Sequence, residues 1–157
     1  MERVEKDEVK AFEYYKKSAE MEYVNAQFEL GYCYQFGIGT EIYKSKALEL
    51  YKSAANKEHG FAQNSLGVLY ENGEGTEWNL TKAIYWYNKA AENENVIAQY
   101  NLGQCYRIGK EVEKNKVKAF EYCRKSAENK YSDAQFELGE YYYKGIGIKI
   151  KHLSHIK

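Results

Sequence analysis

Two histidines spaced as His152-x-x-His155 could ligate a metal ion from one helical turn, and Gly37-x-Gly39 resembles the opening of a phosphate-binding loop. Neither pattern goes further. A closed zinc site needs three or four ligands, and the one other histidine, His59, lies far away in the sequence. A phosphate loop needs a third glycine and a preceding strand. The cysteines Cys33, Cys105 and Cys123 are odd in number and lack metal-ligand spacing. Cys33 and Cys105 stand two periods of an internal repeat apart, too far along an elongated array to be bridged, so all three are read as reduced core thiols. No Ser/His/Asp or Cys/His arrangement is present, and the kinase motifs His-Arg-Asp and Asp-Phe-Gly are missing. The sequence predicts no catalytic residue, no cofactor and no metal.

The elements that would position any site are written in the repeat. Ala-Gln falls at residues 26, 62, 98 and 134, each time followed by Leu-Gly, which fixes a period of 36 residues. The same shift overlays Lys10, Lys46, Lys82 and Lys118, each followed by Ala, and Tyr34, Tyr70, Tyr106 and Tyr142. Such periods mark arrays in which one unit cannot bury its apolar face alone and stacks on its neighbours.

Within a unit, Ala26, Leu30, Cys33 and Tyr34 share one stripe of a helix, here helix A, which Gly37 and its equivalents at 73, 109 and 145 should close in the left-handed conformation. Ala47, Tyr51, Ala54 and Ala55 form the inner stripe of a second helix, helix B, whose outer face is charged. Ser45 and Thr81 are expected near its start as caps. The small residues Ala26 and Gly31 imply close backbone approach, because Gly inside a helix costs about 1 kcal/mol that packing must return. The spacing predicts helix B at 8–21, 44–57, 80–93 and 116–129, and helix A at 25–37, 61–72, 97–108 and 133–144.

The unit Ala-x-x-x-Leu-Gly-x-x-Tyr-x-x-Gly-x-Gly, followed by Lys-Ala-x-x-x-Tyr-x-x-Ala-Ala, resembles the Sel-one-like repeat, a relative of the tetratricopeptide repeat. The resemblance implies an all-α fold, a right-handed superhelix of antiparallel helix pairs that serves as an adaptor without chemistry of its own, in some relatives beside kinase domains. The array is expected over 1–147, starting in mid-repeat at helix B, with 148–157 an irregular basic tail. The third copy departs from the pattern: it reads Gly109-Lys110-Glu111, losing the second loop glycine, and carries Cys123 where Tyr15, Tyr51 and Tyr87 stand in the others. The acidic residue usual before helix B survives only as Asp7, with Tyr43, Asn79 and Asn115 at the equivalent sites.

Basic and acidic residues balance at 23 each, which argues against nucleic acid as a partner. No run of 18 apolar residues is present, and the first residues are charged where a signal peptide needs an apolar core, so no membrane association and a cytoplasmic location are expected. The expected function is a scaffold that binds a protein or peptide segment on the concave face of its A helices. The alternative is a spacer, or a self-associating part of a larger repeat protein linked to a kinase. Weak self-association through uncovered ends is expected as well. The binding face is expected to comprise the positions opposite the core stripe: Asn25, Phe28, Tyr32 and Gln35; Phe61, Asn64, Val68 and Glu71; Ile97, Tyr100, Gln104 and Arg107; and Asp133, Phe136, Glu140 and Tyr143. These vary from copy to copy while the core stripe does not, and their aromatics are of the kind that anchors interfaces.

Overall fold

The computed structural model describes residues 7–109 and 114–146. The expected tail, with His152 and His155, lies outside the described residues, as does Glu111 at the lost loop glycine. Among the described residues the chain is all helical, without strands: α1 (Glu8–Glu20), α2 (Val24–Phe36), α3 (Lys44–Asn56), α4 (Gly60–Asn72), α5 (Leu80–Glu92), α6 (Val96–Ile108), α7 (Lys116–Glu128) and α8 (Ser132–Tyr143). Odd-numbered helices are B and even-numbered ones A. The residues gather into two compact units that divide between Trp86 and Tyr87, inside α5.

The A helices begin one residue before the expected positions and the B helices end one residue earlier, so the three-residue turn from B to A keeps its expected length and is shifted by one position. Each such turn holds one non-glycine residue in the left-handed region: Glu22, Glu58, Glu94 and Lys130, with φ of 61°, 61°, 59° and 67°. Their backbone N–H groups bond back to Ala19, Ala55, Ala91 and Ala127, satisfying carbonyls that the helix end would leave unpaired. Two of the four glutamines of the Ala-Gln pairs work at the same joint. Gln63, fully buried, donates from Nε2 to the Ala55 carbonyl at 3.2 Å and to Glu58 Oε2 at 3.3 Å, and Gln135 donates to the Ala127 carbonyl at 3.3 Å.

The turn from A to B is built differently. Gly37, Gly73 and Gly109 end their helices with φ of 72°, 67° and 81°, as the sequence predicts. The next residue pattern closes the loop: the N–H groups of Tyr43, Asn79 and Asn115 bond to the carbonyls of Tyr34, Tyr70 and Tyr106 at 2.7, 2.9 and 3.0 Å. Those loop residues, and not Ser45 or Thr81, start the B helices. Asp7, Asn79 and Asn115 accept from the backbone N–H of Lys10, Lys82 and Lys118 at 3.0, 2.9 and 3.0 Å, while Ser45 and Thr81 lie one residue inside the first turn. The repeated Lys and Tyr also meet: Lys46, Lys82 and Lys118 place Nζ 5.1, 5.3 and 4.9 Å from the ring centres of Tyr34, Tyr70 and Tyr106, within cation–π range.

In the first unit, α3 packs between α2 and α4, with Ala47, Tyr51 and Ala54 fully buried. A Cβ on Gly31 would lie 2.8 Å from the Tyr51 ring, so the glycine admits that ring. In the second unit, α7 packs on α6 and α8, and a Cβ on Gly103 would stand 3.3 Å from the Ala119 carbonyl oxygen. The second loop glycine is tighter still. With φ of 67° and 69°, Gly39 and Gly75 lie against the first turn of the preceding B helix, where a Cβ would come within 2.1 Å of the Glu8 carbonyl oxygen or 2.5 Å of the Lys44 carbonyl group.

Two stability changes are expected from these turns. Gly75→Ala should cost about 1–3 kcal/mol in a denaturant titration, because left-handed strain and backbone overlap add. Lys130→Gly should stabilise by roughly 0.5–1 kcal/mol, since it relieves the same strain where no neighbour crowds the residue, less the entropy that Gly adds to the unfolded chain.

Candidate interaction surface

Helix geometry puts the positions opposite the core stripe on the A-helix faces, but the structure does not leave all of them open. In the first unit Asn25, Tyr32 and Phe61 are exposed, and Val68 and Glu71 half-buried. Phe28 is half-buried because it packs sideways onto α4, stacked on His59 with ring centres 4.9 Å apart and tilted against Phe61 at 6.2 Å. Gln35 and Asn64 are buried, against the expectation of an open face. For Gln35 the reason is the size of Tyr51, whose ring crosses the helix pair and whose hydroxyl donates to Gln35 Oε1 at 2.8 Å. Burial pushes the Tyr51 hydroxyl far above the usual tyrosine range.

His59, absent from the expected face, is part of it. Its Nδ1 accepts from the Ala62 backbone N–H at 3.1 Å and so caps α4. Burial lowers its pKa below 6.5, opposed by the negative charge of Glu29. At the same position in the next copy, Asn95 caps α6 through Ala98 N–H at 2.9 Å.

In the second unit Arg107, Asp133, Phe136 and Tyr143 are exposed, and Ile97, Tyr100, Gln104 and Glu140 half-buried. Here the structure brings the expected residues to a groove of about 670 Å3 between α6, the start of α7 and α8. Tyr100, Phe136, Tyr141, Ala119 and Ile146 make its apolar walls, with Arg107, Lys114, Lys116 and Lys144 against Asp133, Glu137 and Glu140 around them. Glu137 is the polar centre. Arg107 Nε lies 3.4 Å from its carboxylate, and Gln104 Nε2 donates to it while Gln104 Oε1 accepts from Arg107 at 2.8 and 2.6 Å. Burial, then the Glu137 charge, pushes both Tyr100 and Tyr141 up to about 12. Glu137, Tyr141, Lys114 and Lys116 are missing from the expected set, because Glu137 sits beside that helix face, Tyr141 takes the core-stripe position of Cys33 and Cys105, and Lys114 and Lys116 lie before and at the start of α7. The available signal is Tyr141 where the other copies have Cys33, Leu69 and Cys105.

The described residues hold no cluster of three His, Cys, Asp or Glu side chains suited to a metal ion. The three cysteines are buried, and burial raises Cys33 and raises Cys123 to about 12, which leaves both as thiols. No described helix is long and apolar enough to cross a membrane.

The model of the Sel1 repeat matches residues 2–23, 24–59, 60–95, 96–131 and 132–151, so that each full repeat is one A helix and the B helix after it. The chain belongs to the Sel1 repeat family. Among solved structures it is similar to a Sel1 repeat protein from Oxalobacter formigenes, at 33% identity and a TM-score of 0.85 over 90% of this chain and 58% of that one. It is also similar to c5321, a protective antigen of uropathogenic Escherichia coli with the same repeat fold, at 34% identity and a TM-score of 0.82 over 88% of this chain and 30% of that one. Cysteine rich protein B of Helicobacter pylori aligns at 29% identity and a TM-score of 0.66 over 87% of this chain and 98% of that one. Curated proteins give no match. The chain thus spans 58% and 30% of the length of the first two neighbours. As a Sel1 repeat array it is an all-α helical-repeat solenoid, of a family whose members are generally non-catalytic interaction scaffolds.

The His59 cap carries a pH signature. A histidine that accepts at Nδ1 must be neutral there, and its folded pKa lies below 6.5, so its contribution is complete above pH 6.5 and is lost as pH falls below that value toward the folded pKa. His59→Asn should keep the cap, leave stability at pH 7 within about 1 kcal/mol and flatten the decline of melting temperature between pH 7 and 5. An equal decline in the variant would assign it to other groups.

Proposed function

We propose that this chain is a protein-interaction scaffold that binds a segment of a partner protein on the outward faces of its A helices. One observation carries the reading: Tyr32, Phe61 and Phe136 are 42, 59 and 75% exposed on those faces, while the stripe on the other side of the same helices, including Ala26, Leu66 and Ala134, is buried. Large aromatics left in water on a rigid helix cost little conformational entropy to engage, and they dominate interface energetics when a partner covers them. Family membership supports the class of function, since Sel1 repeats generally serve protein partners. Gln35 and Asn64, being buried, shape the face from beneath, and Phe28 supports Phe61 from the side. Gln104 and Arg107 orient the segment by hydrogen bonds in the second unit.

Peptides selected from a random library on the intact chain provide the test. Tyr32→Ala, Phe61→Ala and Phe136→Ala should each keep the melting temperature of the parent, as exposed positions do. At least one should weaken the selected peptides about tenfold, roughly 1.4 kcal/mol. Peptides that bind all three variants like the parent would place the binding face elsewhere.

A further inference from the structure

We propose that the groove of the second unit takes an acidic segment of a partner protein, its carboxylate on Lys114 and Lys116 and a neighbouring apolar side chain against the wall that Tyr100, Phe136 and Ile146 make. This rests on the protein-segment reading above and gives it a chemistry.

The argument compares positions two periods apart. In the first unit Tyr51 reaches Gln35, and Ser65 lies within hydrogen-bond range of the same side chain. In the second unit those three positions are Cys123, Arg107 and Glu137. The large ring at this position is gone, an Arg–Glu pair stands where its hydroxyl was held, and the core space beside Cys123 is taken by the buried ring of Tyr141, the equivalent of Leu69. The groove opens beside that ion pair, walled by Arg107, Glu137 and Ala119, with Tyr100, Phe136 and Ile146 as its apolar side. Aromatic and aliphatic walls left in water favour an apolar side chain from outside.

The charge follows from a second exchange. Lys44 in the first unit pairs with Glu74 at 3.0 Å. Its equivalent is Lys116, and the equivalent of Glu74 is Ile146, so the lysine is kept and its internal carboxylate is replaced by an apolar residue on the groove wall. Arg107 pairs with Glu137 at 3.4 Å and Lys144 with Glu140 at 2.6 Å. Lys114 and Lys116 are exposed and show no ion pair among the described residues. An incoming carboxylate restores the partner that Lys116 lacks, and an apolar side chain beside it covers the exposed wall.

The peptides selected on the intact chain read this directly. They should carry Asp or Glu within two residues of Phe, Leu or Trp. Reversing Lys114→Glu and Lys116→Glu together should weaken them tenfold or more, with the melting temperature unchanged because both lysines are exposed. A second variant, Phe136→Asp, puts a carboxylate on the exposed apolar wall and should weaken them tenfold as well; if it fails to fold, the lysine reversal still decides. Basic or acid-free peptides, or affinity indifferent to the lysine reversal, would overturn the proposal. An oligo-glutamate peptide binding as tightly as the selected ones would overturn it too, since the apolar space would then be unused. Peptides that need Tyr32 but not the lysines leave the protein-segment reading standing without this site, whereas no enrichment at all removes both.

Discussion

Backbone closeness between helices is the constraint on which this chain depends. Gly31 lies under the Tyr51 ring, and Gly39 and Gly75 lie against the carbonyls that open the preceding B helices, where a Cβ would fall within 2.1 or 2.5 Å. Each helical glycine sacrifices about 1 kcal/mol of propensity. The return is dispersion contact at short range and burial of a ring that a larger residue would hold off. The alanines of the B helices serve the same end from the other side, with Ala47, Ala54 and Ala83 fully buried. The cation–π contacts of Lys46 and Lys118 and the carboxamide of Gln63 reach their partners because the helices stand so near.

The repeat made most of the architecture legible. Helix number, order and phase could be read from Ala-Gln and Leu-Gly because a period sampled four times averages out local ambiguity, and Gly at the end of helix A carries its conformation in its identity. The B-to-A turn was not legible, because Glu22, Glu58, Glu94 and Lys130 are ordinary residues held left-handed by the hydrogen bonds around them. Ala-Gln is a phase marker in the sequence, yet Gln63 and Gln135 also cap the helix before them. The interaction face was readable in outline only. Helical phase places Gln35 and Phe28 opposite the core, but phase does not say how far a tyrosine from the neighbouring helix reaches, and Tyr51 covers one while α4 flanks the other.

The copies differ from one another in sets. Exchange of Tyr for Cys at 123 comes with Arg at 107 and Glu at 137, which form an ion pair where a neutral hydrogen-bonded network stands in the first unit. Glu137 is mostly covered, so its charge has to be met, and Arg107 and Gln104 meet it. A surface read one helix at a time hides such exchanges, whereas alignment of the chain on itself displays them.

The described helix packing joins near neighbours in sequence: α1 with α2, α2 with α3, α3 with α4, α6 with α7 and α7 with α8. Closing so short a loop costs little chain entropy, and topologies rich in local contacts fold fast. Each helical hairpin turns on a glycine or a bonded turn, and several add a side-chain cap at the helix start or a Lys–Tyr or Gln–carbonyl contact across the joint. Folding of a stack built this way can start at any hairpin and spread to the next. A substitution then weakens the hairpin that contains it and its immediate neighbours, which lets single copies drift toward new surfaces while the others hold the chain in register.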